Sequence, residues 1–329
     1  MPKLSVLMLS WNTSEHTLQC LESMKSQTFG DFEVIVVDNG STEEDYLKLK
    51  NGVGKLGMDN VVLKRVYPNI AICGGMNYGF PFAKGEYVLF MNNDMIVDRD
   101  ALKEVMAAFS RDARIGCVVP QVRSWVNGPT EEVQPVGGTL TFYGTLVNEE
   151  MVKGIFHRDV TELACATGGC FAFPRRVLDE LKEIFPPYYG LFFEDLDLAW
   201  RTHNAGFRIV YAPKSIIYHK GSASLTANNA HAGKQKLIAR NKYLTYWRNL
   251  RVADFALVLP FMLAFDAVKS MKQTIIDGNP EFVLSTLRGL TEFVLNRDRV
   301  SVPRRGGLSY LTLYVGNPFR AAGNWTKKV

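Results

Sequence analysis

The chain holds five cysteines among 329 residues, and no two of them form a CxxC pair. Cys20, Cys73, Cys117, Cys165 and Cys170 therefore lack the spacing of a disulfide framework or a structural zinc site. Cys20 and Cys117 read as small core residues. No GxGxxG follows the first strand-like run, where a dinucleotide-binding fold would need it. Apolar runs are short. Phe255–Phe265 is apolar throughout but is bracketed by Asp254 and Asp266, and a bilayer span needs about 20 residues. Such a run is either a core helix or an interfacial one. Zinc-finger spacing and a basic base-reading helix are also missing, so no nucleic-acid partner is expected. No cationic segment precedes a long apolar stretch near Met1, and the expected setting is reduced and cytoplasmic. Acid is absent from residues 299–329, which carry Arg299, Arg304, Arg305, Arg320, Lys327 and Lys328. A basic end of this kind is either solvated or suited to an anionic membrane surface.

What is present belongs to a globular protein. Hydrophobic residues make up 47% and charged residues 22%, with a formal net charge of +5. The length allows one large domain or two smaller ones. Strand and helix patterns alternate over the first 120 or so residues. Leu4–Ser10, Phe32–Asp38, Val61–Tyr67, Glu86–Met91 and Ile115–Val122 read as strands. Helices are expected from Ser14, over Gly74–Lys84 and over Asp100–Phe109. This order predicts an α/β fold with a mostly parallel sheet between helices. Residues 123–165 lack a clear period and read as a meander. A strand near Cys165–Pro174, helices at Arg175–Lys182 and 195–205, and a strand at Phe207–Pro213 follow. From about Ala230 the pattern is helical and amphipathic.

Polar residues cluster where the strands stop. Asn92-Asn93-Asp94 ends an apolar strand, and ligands of open α/β sheets bind at that edge. One carboxylate and two amides suit a hard divalent cation shared with a diphosphate. The same tripeptide also suits an ordinary turn with Asp94 as a cap. Asp38-Asn39-Gly40-Ser41 ends the second strand. Asp38 there can accept from a base N–H or a ribose hydroxyl, although the segment is also a common tight turn. Asn69–Gly79 contains Gly74-Gly75, which permits close backbone approach, and places Asn69 and Asn77 beside a possible phosphate or simply at a helix start. In Phe192–Arg201, two aromatics precede Glu194-Asp195. An apolar wall raises a carboxylate's pKa and makes it a better base. Asp197 stands four residues before Arg201 and reads as its partner, which leaves Asp195 as the candidate base with Glu194 beside it. The alternative is an acidic helix start. His219 precedes Lys220-Gly221-Ser222, a sequence suited to a phosphate-contacting loop, though a lone histidine is commonly structural.

In this order, the segments resemble glycosyltransferase family 2, the inverting enzymes with the GT-A fold, and its rhamnosyltransferase-like members in particular. Ser10–Thr28 is similar to the family's first strand and helix, and Asn69–Gly79 to its NLGFAGGNNxG loop. Asn92-Asn93-Asp94 stands in the place of the DxD motif. Thr167-Gly168-Gly169, Arg175-Arg176 and Glu194–Arg201 follow its TGA…RR…EDxDLxxR pattern. Ala71 replaces a usual Gly, Met76 a frequent Asn, and Asn92 the first acid. The likeness covers roughly residues 3–250. It implies a GT-A domain over 1–240 and a helical region over 241–329 with peripheral membrane contact. It implies that Asp38, with the Ser10-Trp11-Asn12 turn, contacts a pyrimidine nucleoside, and that Asn69, Asn77, Asn92, Asn93 and His219 line the donor side. Asp94, with His219, would hold Mg²⁺ or Mn²⁺. Thr167, Gly168, Gly169 and Glu194 would face the acceptor, and Asp195 would act as base. The implied donor is dTDP- or UDP-linked, with dTDP-rhamnose preferred. The implied acceptor is a saccharide or lipid-linked saccharide. A non-catalytic nucleotide-sugar-binding or membrane-scaffold protein of the same fold is the rival expectation. A nucleotidyltransferase would need a glycine- and Arg/Lys-rich loop after strand one, and Ser10–Glu15 is not one.

Overall fold

A computed structural model describes residues 1–147, 159–163, 165–167, 169–221, 230–278, 280–299, 306–307 and 311–312. Its first half alternates as the sequence predicts. β1 (Leu4–Ser10), α1 (Ser14–Met24), β2 (Phe32–Asn39), α2 (Glu43–Leu56), β3 (Val61–Val66), α3 (Ala71–Gly79) and β4 (Tyr87–Met91) come in that order. β5 (Met95–Val97), α4 (Ala101–Phe109) and β6 (Ile115–Trp125) follow. β1, β2, β3 and β4 are mutually parallel neighbours in the order β4-β1-β2-β3. The chain runs outward from β1 to β3 and then returns to β4 on the other side of β1. That reversal is a topological switch point, where strand ends diverge and leave a crevice. The strand tips at Ser10, Asp38 and Met91 border it.

The meander expected over 123–165 is short strands: β7 (Pro129–Val133), β8 (Gly137–Thr141), β9 (Leu146–Val147), β10 (Thr161–Leu163) and β11 (Cys165–Ala166). β12 (Cys170–Pro174) then lies antiparallel between β4 and β6. α5 (Arg175–Leu181) and α6 (Glu194–Asn204) lead to β13 (Arg208–His219). The sequence pattern ends this last strand at Pro213, because proline cannot donate to a ladder. The strand instead passes Pro213 through a bulge between Ala212 and Ile216 and pairs on with β6 and β5. Bulges absorb such residues and re-aim the strand. This one carries His219 to the register position opposite Met95.

Three helices follow, α7 (Ala230–Asn249), α8 (Val252–Asp277) and α9 (Glu281–Asn296), before a short strand at Leu311–Thr312 pairs with β8. The domain boundary expected at 240 falls inside α7. Tyr243, Leu244 and Tyr246 of α7 are fully buried, and Tyr246 meets Trp200 of α6 edge-on at 5.0 Å. α8 divides between the two readings left open for its apolar run. Phe255, Val258 and Met262 are buried, whereas Leu257, Phe261 and Leu263 are exposed. Asp254 and Asp266 both point inward. Arg251 pairs with the first; Lys242 and the Tyr243 hydroxyl pair with the second. Among the described residues, no helix is long and apolar enough to cross a membrane.

Candidate active site

Asp38 ends β2 with its side chain 0% exposed. Neither carboxylate oxygen has a hydrogen bond, although Arg65 Nε lies 3.2 Å from Oδ2. Burial pushes the carboxyl above its usual range, and nearby Ser41 and Arg65 hold it back. A buried carboxylate held only by an ion pair and lacking well-formed hydrogen bonds is costly, so this one can take a donor from outside. Arg65 stands directly across from Asp38 in the β2–β3 register. Its guanidinium lies 4.0 Å over the Tyr46 ring and bonds Glu43 at 2.6 Å, while its Nε remains without a hydrogen bond. Arg65 was missed in the sequence. Its signal was an arginine at the end of an otherwise strand-like run.

The other polar residues of the first turns build the rim. Asn12, at φ 54°, donates its N–H to Ser41 Oγ at 2.9 Å and accepts from Thr42 N at 2.9 Å. Ser10 is buried and accepts from Thr17 Oγ1 at 2.9 Å. Trp11 is about half exposed beside them. Asn93 donates to Thr13 Oγ1 and Thr17 Oγ1 at 2.8 and 2.7 Å, so its amide fastens α1 to the β4 tip. Asn69 accepts from Ala71 N at 2.8 Å at the start of α3. Its backbone lies so close to Gly40 (φ 81°) that a Cβ there would sit 2.3 Å from Asn69 N; only glycine fits. Asn77 pairs with the Phe185 backbone, donating at 2.6 Å and accepting at 3.3 Å. Its amide is committed to the loop ahead of α6.

At the β4 tip, Asp94 Oδ2 lies 3.2 Å from His219 Nε2, and buried Asp94 Oδ1 has no partner. His219 Nδ1 lies 2.9 Å from Gln134 Oε1. Gln134 Nε2 donates to Ser124 Oγ at 3.3 Å, which turns its Oε1 toward the ring. Nδ1 thus faces Gln134, and Nε2 faces the Asp94 carboxylate. An imidazole nitrogen beside a carboxylate, with a second carboxylate oxygen free, offers ligands to a divalent cation, and the Gln134 contact holds the ring as a metal-ligating histidine requires. Gln134 was also missed in the sequence. Among the described residues no group of three His, Cys, Asp or Glu could hold a metal. The remaining ligands would have to be diphosphate oxygens and water, as Mg²⁺ sites commonly use. Asn92 N donates to Gly169 O at 2.9 Å. A Cβ on Gly169 (φ 67°) would sit 2.5 Å from the Asn92 amide. This closely joins the two turns. Thr167 Oγ1 is buried without a partner. Gly168 lies outside the described residues.

The acidic pair opens α6 after Phe192 and Phe193, both left-handed at φ 69° and 70°. Burial and the charge of Asp195 push the Glu194 carboxyl up to about 8, and its Oε2 is buried without a partner. Asp195 Oδ1 accepts from Leu196 N at 2.7 Å. α6 packs on β11, and β11 leads into Thr167–Gly169. β11 belongs to a smaller second sheet, and the pair is linked to Asn92 through the Thr167–Gly169 turn that follows it. Asp197 is fully buried, as its pairing with Arg201 predicted. Arg201 Nε lies at 2.8 Å, Asn249 Nδ2 at 2.9 Å and Arg248 Nε at 3.5 Å. Burial would raise its carboxyl, but Arg248 and Arg201 outweigh this and hold it below the usual range.

The model of the family described as "Glycosyl transferase family 2" matches residues 5–182, more than half of the chain. The chain belongs to this family. It is classed as a glycosyltransferase, and its sheet and helices form the GT-A fold. A Sinorhizobium fredii protein, y4gI, is 28% identical over 214 residues; the match covers 62% of this chain and 23% of that protein. The putative glycosyltransferase EpsH of Bacillus subtilis is 28% identical over 111 residues, 32% of this chain and 30% of EpsH. The chain thus spans less than a third of the length of either relative. Among solved structures, the mannosyltransferase PcManGT of Pyrobaculum calidifontis, in complex with GDP-Man and Mn²⁺, superposes with a TM-score of 0.54 at 15% identity. That match covers 90% of this chain and 87% of that one. The family match ends before Glu194 and Asp195, so their roles rest on geometry.

Proposed function

We propose that this family member is an inverting glycosyltransferase that moves a sugar from a nucleoside-diphosphate donor to a saccharide or lipid-linked saccharide. The observation that carries this reading is the pair of unsatisfied carboxylates, Asp38 and Asp94, at the switch-point edge of one sheet. Asp38 and Arg65 offer an acceptor and a donor side by side, the pattern a pyrimidine edge complements. Asp94 and His219 would hold Mg²⁺ or Mn²⁺ on the diphosphate; a bound cation of this kind stabilises charge on the leaving group. PcManGT, which carries GDP-Man and Mn²⁺, supports a divalent ion in this fold. Asp195 takes the acceptor hydroxyl proton as the oxygen attacks the anomeric carbon. Glu194, raised to about 8 by burial and by its acidic neighbour, is largely protonated at neutral pH, and Asp195 is the residue assigned the role of base. Among donors, dTDP-rhamnose is favoured by the sequence of the Asn69–Gly79 loop, with other UDP- or dTDP-linked hexoses next. Titration of dTDP and UDP with and without Mn²⁺ tests the donor half. Tight binding enhanced by Mn²⁺ is expected; absence of binding to either nucleotide would overturn the reading.

The acceptor side extends to a membrane surface. Leu257, Phe261, Val268, Met271 and Ile275 are all exposed and recur every three or four residues or at seven, forming one stripe along α8. Asp254 and Asp266 are turned inward. Lys272 follows Met271 on α8 and is exposed, and the sequence beyond Arg299 is basic. Apolar burial and attraction to anionic headgroups act together on such a surface. Flotation with anionic vesicles at low salt, lost at high salt, is the expected result. Failure to float at low salt would remove the membrane contact and leave sugar transfer standing.

A further inference from the structure

The segment that delivers the acidic pair has little structure of its own. Between Glu183 and Phe193 its one regular element is a 3₁₀ turn at Pro187–Tyr189. It ends in two consecutive aromatic residues with positive φ, a conformation that persists only where the surroundings enforce it. Phe193, at the cap position of α6, makes no side-chain capping bond. The enforcement comes from side chains on helices. Arg201 donates to the carbonyls of Glu183 and Ile184 at 2.5 and 2.6 Å. Arg240 Nη2 donates to those of Tyr188 and Tyr189, both at 2.9 Å. Asn241 Nδ2 reaches the carbonyls of Tyr189, Leu191 and Phe192 at 3.0, 2.8 and 2.8 Å. Asn241 is itself 0% exposed. Its Oδ1 accepts from Arg240 Nε at 2.9 Å, which fixes which end of the amide faces the loop.

We infer that Asn241, held by Arg240, is the positioning residue that sets the direction in which Glu194 and Asp195 enter the site. The amide is the group this place requires. It offers two hydrogens to three converging carbonyls, while its oxygen is occupied by Arg240. A carboxylate would oppose the carbonyls, and a methyl pair would leave them unsatisfied. Asn241 and Arg240 do not bond to Glu194 or Asp195 and act through the backbone of 188–193. The inference rests on the assignment of Asp195 as base.

Asn241→Leu keeps the volume and removes the donors. Expected is a kcat lowered about 10–100-fold, as small misplacements of reacting groups produce. The donor KM and Mn²⁺-dependent nucleotide binding should stay within about twofold, because the donor half is untouched. The acid limb of the kcat–pH profile should shift, and amides of 188–193 should exchange faster with solvent while those of β1 and β2 do not. Arg240→Gln, which frees Tyr188 and shares only the Tyr189 carbonyl with Asn241, should fall between wild type and Asn241→Leu. A folded Asn241→Leu protein with wild-type kcat and wild-type exchange over 188–193 overturns the inference. So does failure of both variants to fold, since the contacts would then be structural only. Wild-type protein that transfers no sugar would instead overturn the proposed function.

Discussion

The two ends of the site are built in opposite ways. Asp38 stands near the tip of β2, in register with Ser10 of β1, and Asp94 follows the tip of β4, where its carbonyl accepts from Lys220 N at 3.1 Å just before β5. Their carboxylates keep unsatisfied oxygens. Glu194 and Asp195 follow an irregular loop whose carbonyls are held one by one from α6 and α7. The donor end therefore has its geometry in the backbone and its chemistry in reserve. The base end has its geometry in side chains contributed from 17 to 52 residues away along the chain. One consequence is that damage should separate: donor-end substitutions should weaken binding, and base-end substitutions should weaken turnover or the fold.

The sharpest test of that separation is Asp195→Asn. Loss of a general base costs about 10²–10⁴-fold in turnover, and nucleotide titration should be unaltered. Transfer at the wild-type rate would move the role to Glu194. Asp197→Ala should instead strike the fold. It leaves Arg201 and Arg248 buried without their carboxylate, a change worth about 3–5 kcal/mol, readable as a lower denaturant midpoint at constant slope. At the donor end, Asp94→Ala should abolish the Mn²⁺ enhancement of dTDP or UDP binding and leave the melting temperature of the free protein nearly unchanged. An enhancement that survives would place the cation elsewhere. A further test at the base end is a pH dependence. The Glu194 carboxyl is raised to about 8 in the fold, so the native state binds a proton that the unfolded chain releases near 4.5. Its contribution to stability is full below about 4.5 and is lost as pH rises toward 8. Glu194→Gln should therefore gain stability over wild type across that window, by at most about 1.4 kcal/mol per pH unit, and level off above it. Parallel stability–pH curves for the two proteins would contradict the assignment.

The same contrast explains what could be read from the sequence. Strand tips are legible because an apolar run stops at a polar residue, as at Met91 to Asn92 and Val37 to Asp38. The pairing of Asp197 with Arg201 was legible because four residues make one helical turn. Asn77 and Asn93 were expected to face the donor, yet their amides hold Phe185 and the α1 hydroxyls. Nothing local distinguishes an asparagine that binds ligand from one that holds backbone. Gln134 and Asn241 were invisible, and Arg65 was overlooked, for a related reason. Their partners lie tens of residues away, and only the register of β2 with β3, the bulge in β13 and the seating of α7 bring them together. Pro213 misled because a proline usually ends a strand, and a bulge can carry the strand past it.

Arg65 has one more consequence, for colloidal behaviour. β3 stands last in the sheet order, and among the described residues no strand pairs with its outer side. Open edges of this kind invite addition of a foreign strand, and charged side chains deter it. β3 carries Lys64 and Arg65 in succession, the first over the Phe82 ring at 4.4 Å and the second over Tyr46. Replacing Arg65 by leucine to probe nucleoside binding would also strip half of that guard. The variant should then form concentration-dependent aggregates even where its secondary structure is intact, and light scattering across a dilution series would register them.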